Sequence, residues 1–206
     1  MTRFFDWFQL AVLACLVCLG FGRVLFLRSR SIRVLVVDRP CSATQAATDL
    51  LFLTCVILWV YETLAYALPM SFHLIPTSLS PVVVKNLVFK VVGMVLSILG
   101  LVIYGLALWA MGESWRLGID REAPGPLVSN GIFALSRNPI YVGLDLVTLG
   151  AFFVVGRLVL LVVALAIVAL FHRQIRREES FLRDAYGDQY REYCNRVGRY
   201  FRLLRF

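Results

Sequence analysis

Long apolar stretches alternate with short polar breaks along this chain, at lengths suited to crossing a bilayer. About 20 consecutive apolar residues carry a helix through the hydrocarbon, and runs of that kind occupy 8–27, 47–68 and 82–111. Two shorter runs, 140–156 and 158–171, are parted only by Gly156 and Arg157, which predicts a tight helical hairpin. The first run is too long for a signal peptide, and no small-residue cleavage site precedes Arg28, Arg30 and Arg33, so it is read as a retained helix. The pattern predicts an all-α integral membrane protein of about five transmembrane helices. It reads as one polytopic domain, with a three-helix scaffold at 1–111 and a catalytic, cofactor-binding region at 112–206.

Composition supports this reading. Of the 206 residues, 60% are hydrophobic, against about 45–50% in a soluble domain. The net charge is +8 and is unevenly placed. Arg28, Arg30, Arg33 and Arg39 lie between runs one and two, none lie in 69–81, and nine arginines follow Phe171. By the positive-inside rule the N-terminus faces out and the tail is cytoplasmic, as in a bacterial inner-membrane protein. The basic excess therefore reads as topology and lipid contact rather than nucleic-acid binding. The five cysteines and two histidines are scattered and predict no metal site. Cys15 and Cys18 are read as small packing residues inside the first helix.

Within the scaffold, Gly20, Gly22, Gly93, Gly100 and Gly105 are expected to let helices approach closely. Lys85 and Lys90 are read as snorkelling to headgroups. Glu62 is expected to pair with one of these two lysines.

Polar chemistry concentrates beyond residue 112. The stretch 112–143 is rich in Gly and Pro, yet it also carries Trp115, Leu127, Val128, Ile132 and Phe133, so it is read as folding back over something. Ser136-Arg137-Asn138-Pro139 then forms a basic corner at the mouth of the fourth helix. Pro139 suits a first helical turn, and the free N–H groups there, reinforced by Arg137, attract anions or oxygen atoms. A capped helix with a snorkelling arginine would look the same. Asp145 lies one turn after Tyr141 on the same face. It either accepts a hydrogen bond from Tyr141, Trp115 or an arginine, or it orients or deprotonates an amine acceptor. After Phe171 the fifth helix continues into charged sequence. There Glu178 and Glu179 are read as surface partners of Arg176, Arg177 and Arg183. Tyr186, Tyr190, Tyr193, Val197 and Tyr200 recur at helical spacing, which reads as an amphipathic interfacial helix, with an aromatic binding box as the alternative.

Taken in order, GxSWRxGI, LVxxGxFxxxRNPIYxG, an apolar hairpin and RREExxLxxxYGxxYxxYxxxVxRY resemble the isoprenylcysteine carboxyl methyltransferase family, with the membrane phospholipid methyltransferases as wider kin. The resemblance implies an S-adenosylmethionine-dependent methyltransferase that releases S-adenosylhomocysteine, without a Rossmann fold. Its cofactor pocket would form between the cytosolic loop and the C-terminal helix. Carried over, the cofactor contacts fall on Gly125, Pro126, Leu127, Val128, Phe133, Asn138, Pro139, Ile140, Tyr141 and Glu178. Many relatives have His at Asn138. The family's substrate arginine falls on Gln174, so Arg173 or Arg176 is expected to replace it. Arg137, Arg173 and Glu179 are the candidate catalytic residues. The acceptor is expected to be a lipophilic or lipidated molecule, methylated on a carboxylate. A lipid amine is the alternative, with Asp145 or Glu179 as its base. A membrane reductase and a non-catalytic membrane protein are the remaining readings.

Overall fold

The computed structural model describes residues 2–32, 42–68, 70, 74–76, 78–112 and 125–201. The segment 113–124, with Trp115, Arg116, Arg121 and Pro124, lies outside them, as do Arg33, Arg39, Cys41 and His73. The described chain is built of five α-helices: α1 (Thr2–Ser29), α2 (Ala43–Ala67), α3 (Leu87–Met111), α4 (Pro139–Val155) and α5 (Leu158–Arg196). Four are long and apolar enough to cross a membrane, and α4, with 17 residues, is the shorter fifth. The protein is an all-α, multi-pass membrane protein.

Local sequence sets the helix starts. The side chains of Ser42 and Asn86 accept from the amides of Gln45 and Val88 at 3.2 and 2.9 Å, so α2 and α3 begin with capped amides. Pro139 occupies the first turn of α4, and Asn138 before it makes no such cap. Two boundaries differ from the apolar pattern. The third helix starts at Leu87 rather than near 82, because Val82 pairs in extended form with Arg157. The fifth continues past Phe171 to Arg196, interrupted by Gly187 at φ 52°, so the membrane helix and the charged C-terminal helix form one element.

The closest packing joins α3 to α4. A Cβ on Gly100 would stand 2.5 Å from the Gly143 carbonyl oxygen, and one on Gly93 2.6 Å from that of Gly150. Backbones meet here because no side chain intervenes, the usual device where lipid removes the hydrophobic incentive for helix association. Gly22 faces open space and Gly105 meets only Leu19 at ordinary distance, so the expectation of close approach holds for part of that set. Trp59, Val147, Ala151, Phe152, Leu160 and Ile167 form a core shared by α2, α4 and α5.

The two ends of α4 lie about 25 Å apart, at about 1.5 Å per residue. Its C-terminal end turns at Gly156 (φ 78°), where a Cβ would collide with the Val84 carbonyl. The strap 81–84 is stitched to that turn by Val83 N to Gly156 O (2.8 Å) and Leu158 N to Pro81 O (3.0 Å). Arg157 is thereby carried inward, where Nη1 donates to Glu62 Oε2 at 2.5 Å and Nη2 to the Ile75 carbonyl at 3.0 Å. This corrects the expected partner of Glu62. A guanidinium can serve a carboxylate and a carbonyl together, whereas Lys90 bonds the Tyr66 hydroxyl at 3.2 Å.

Candidate functional site

At the other end of α4, the chain enters through a short 3-10 turn, Gly131–Ala134, which Gly131 opens with φ 57°. Phe133 of this turn is buried, and its carbonyl accepts from the Tyr193 hydroxyl at 2.6 Å. Upstream, the Gly125 carbonyl accepts from Tyr186 at 2.7 Å. Leu127 packs against the buried cluster Tyr190, Tyr193 and Val197. The tyrosine stripe therefore faces the loop, with the Tyr186 and Tyr193 hydroxyls donating to loop carbonyls and that of Tyr190 buried without a hydrogen-bond partner. Tyr200 lies beyond the helix end and bonds His172 Nδ1 at 2.7 Å.

The corner residues are tied to the C-terminal segment. Arg137 N donates to the Gly198 carbonyl at 3.0 Å, and Ser136 Oγ donates to that of Arg199 at 3.2 Å. Asn138 Nδ2 reaches both the Arg199 carbonyl and Glu179 Oε1, each at 3.2 Å. Glu179, only 3% exposed, pairs with Arg137 at 3.1 Å and with Arg199 at 2.7 Å. Burial pushes its carboxyl up, but the Arg199 hydrogen bond and the charges of Arg137 and Arg199 outweigh this and hold it below the ordinary glutamate value. The expected surface pairs with Arg176, Arg177 and Arg183 do not form, because Glu179 shares the inward face of α5 with the fully buried Ile175.

Glu178 is the contrasting neighbour. It accepts from the Tyr141 hydroxyl and from Gln174 Nε2, the latter at 3.0 Å. Both donors are neutral, and among the described residues no cation pairs with it. Burial pushes this carboxyl up, and the hydrogen bonds of Tyr141 and Gln174 offset only part of the rise. Tyr141 is fixed from its other side by the Phe171 ring, 5.0 Å between centroids.

The structure thus brings together Asn138, Pro139, Tyr141, Glu178, Arg137 and Glu179, with Phe133 and Leu127 on the adjoining loop. Gly125 and Pro126 are exposed and Val128 and Ile140 half-buried. Arg173 stands apart, exposed in a groove of about 430 Å³ shared with His172, Arg176 and Arg177. Asp145 makes neither of the described bonds expected of it. Its Oδ1 is buried without a partner, since the Tyr141 hydroxyl is given to Glu178. Arg199 was not singled out by the sequence reading, although it is the arginine of the VxRY pattern.

Sequence comparison gives this assembly its context. The phospholipid methyltransferase family model matches residues 88–189, which takes in α4 and most of α5. A probable protein-S-isoprenylcysteine O-methyltransferase of Oryza sativa subsp. indica is 33% identical over 145 residues, covering 64% of this chain and 73% of that protein. The Saccharomyces cerevisiae protein-S-isoprenylcysteine O-methyltransferase is 30% identical over 111 residues, 52% of this chain and 46% of its own. That of Schizosaccharomyces pombe is 36% identical over 72 residues, 34% and 30% respectively.

The chain belongs to the isoprenylcysteine carboxyl methyltransferase family.

It is accordingly an integral membrane methyltransferase. Methyl transfer asks a protein for alignment and a dry site more than for acid–base machinery. The corner combines a helix mouth, an arginine–glutamate knot that ties it to the C-terminal segment, and a carboxylate, Glu178, without a cationic partner among the described residues.

Proposed function

We propose that this protein transfers a methyl group from S-adenosylmethionine to the carboxylate of a lipophilic acceptor of the isoprenylcysteine type. The observation that carries the proposal is Glu178, a carboxylate whose partners among the described residues are neutral donors, beside the Arg-Asn-Pro corner. A buried anion without a cation is costly, and a cationic ligand would relieve that cost. The residues present therefore fit the positively charged cofactor. In this reading Gly125, Pro126, Leu127, Val128, Phe133, Asn138, Pro139, Ile140 and Tyr141 line the cofactor's seat, and Glu178 takes its amino group. Arg137 Nε is buried without a partner, which suits the cofactor's carboxylate. The bound cofactor supplies a methyl group activated by its sulfonium. Glu179 is assigned a positioning role, holding Arg137 and Asn138 in place. Arg173, with Arg176 and Arg177, forms the cationic surface for the acceptor's carboxylate. An ionised carboxylate needs no base, which suits a site without a catalytic histidine. This assigns the chemistry to 112–206 and the support to 1–111, with the N-terminus outside and the tail cytoplasmic.

Asp145 favours a second reading, methylation of a lipid amine, because its buried Oδ1 has no hydrogen-bond partner and could receive an ammonium. Calorimetry of the purified protein against S-adenosylmethionine, S-adenosylhomocysteine and NADPH tests the first requirement of both. Binding of the two sulfur compounds is expected. Binding of NADPH alone would overturn the methyl-donor assignment and favour the reductase reading.

A further inference from the structure

The hairpin end of the bundle, opposite the corner, carries a groove of about 460 Å³ between α2, α3 and the strap 81–84. Three of its lining side chains are cationic: Lys85, Lys90 and Arg157. Arg157 is neutralised by Glu62. The described partners of Lys90 are neutral groups. Its ammonium donates to the Tyr66 hydroxyl and stands 5.0 Å from the Phe5 ring centre and 5.5 Å from that of Tyr66. Lys85 is exposed, and among the described residues neither lysine has a carboxylate partner. Among the described residues, then, two of the groove's positive charges have no carboxylate partner. Its other wall is apolar, with Val82 45% exposed and Val155 at the base.

We infer that this groove binds the phosphate headgroup of an anionic phospholipid, with Lys85 and Lys90 as its cationic contacts and Val82 against the first carbons of its acyl chains. The placement matches the ligand. The groove opens where α2 ends and α3 begins, at the end of two apolar helices, and two cations there attract an anionic headgroup by simple Coulomb interaction. Fixing Lys90 over two rings pre-orders it, so less side-chain freedom is lost when a phosphate arrives. Zwitterionic lipid lacks the net charge that two lysines select. A soluble phosphate lacks the apolar portion that the valine wall receives. Because the strap 81–84 lines the groove and is bonded to the α4–α5 turn, an occupant there stabilises the hairpin. The inference does not depend on the methyl-transfer reading.

The test uses the full-length protein in detergent, titrated with phosphatidylglycerol, phosphatidylcholine or glycerol phosphate and followed by thermal unfolding and native mass spectrometry. Saturable stabilisation by phosphatidylglycerol is expected, well above that given by phosphatidylcholine. Lys85→Gln and Lys90→Gln should each weaken phosphatidylglycerol binding about fivefold, with additive loss in the double variant. Arg183→Gln/Arg191→Gln, two exposed cations at the corner end, should retain the selectivity. Equal response to the two lipids would overturn the inference. So would a full response to glycerol phosphate, or selectivity that survives in the lysine variants and disappears in the arginine ones.

Discussion

The two ends of α4 solve one problem differently. At the hairpin end, Glu62 and Arg157 are both buried and pair at 2.5 Å, locking a strap to a turn. At the corner, Glu179 locks the Arg-Asn-Pro turn to the C-terminal segment through Arg137 and Arg199. Here, however, a second acid, Glu178, stands next to the lock with no cationic partner among the described residues. A carboxylate matched by arginine holds a fold together. One left unmatched beside such a lock is available to a ligand. The acid of the hairpin end therefore reads as structural, as does Glu179 at the corner, whereas the proposed function gives Glu178 to the cofactor.

The largest expected effect comes from opening the hairpin lock. Arg157→Ala leaves Glu62, which has no exposed surface, charged and deprived of its cation, and breaking such a pair costs about 3–5 kcal/mol. Thermal unfolding in detergent should show a marked loss of stability. Glu62→Leu/Arg157→Met, which removes both charges, should recover most of it. An Arg157→Ala variant as stable as the parent would mean that the pair does not carry the strap.

The next effect separates the adjacent acids. Glu178→Gln keeps an acceptor for Tyr141 but removes the charge. A charge-assisted bond is worth about 1.5–3 kcal/mol, so S-adenosylhomocysteine affinity should fall at least about tenfold with stability nearly unchanged. Glu179→Gln should reverse the emphasis, losing stability because Arg137 and Arg199 lose their shared anion. Calorimetry beside thermal unfolding checks both. Identical profiles for the two variants would erase the distinction between lock and site.

How much of this was legible in the chain follows from the range of each interaction. The five helices were, because each is an uninterrupted apolar run and needs no partner to be recognised. The union of corner and α5 was legible only as motif order, since Tyr141 and Glu178 are 37 residues apart. Glu62 was misassigned because its partner lies 95 residues away. A signal was nevertheless present: Arg157 stands at a hairpin tip between two apolar runs, where a cation asks for a buried acid. Glu179 gave a similar clue, standing one turn from Ile175 on the inward face of α5. The strap 82–86 was hidden, as Val82, Val83 and Val84 continue the apolar pattern of α3 while their backbone pairs with Gly156 and Arg157 instead.

Acidification sharpens the comparison further. Glu178 titrates above the ordinary glutamate value and Glu179 below it. The ammonium group of S-adenosylhomocysteine requires Glu178 ionised in this reading, so affinity is lost as pH falls through the raised value. The stability that Glu179 contributes is present above the ordinary value and is lost as pH falls through its lowered one. Between the two lies a pH window in which the protein is folded and binds S-adenosylhomocysteine weakly. Binding and unfolding measured across pH should separate in that order, and Glu178→Gln should flatten the first transition alone. Coincident transitions would show that one group controls both.

The smallest effect is expected at Asp145, which belongs to neither lock. It lies one turn beyond Tyr141 toward the middle of α4, with Oδ1 buried and unpartnered. An acid within a membrane helix is costly and usually serves the protein interior. Asp145→Asn keeps the shape and hydrogen-bonding capacity but cannot remove a proton. With a carboxylate acceptor, already ionised, turnover should stay within about threefold of the parent, because no base is required and only local polarity changes. With an amine acceptor the proton must leave, and removing a positioned base typically costs about 10²–10⁴-fold. The measurement is methyl incorporation into a carboxylate and an amine lipid in parallel, with S-adenosylhomocysteine affinity followed by calorimetry. Turnover near normal on the carboxylate lipid keeps the first reading. Turnover lost on the amine lipid alone, with cofactor affinity intact, would move the acceptor assignment to amines and make Asp145 the residue that recognises them.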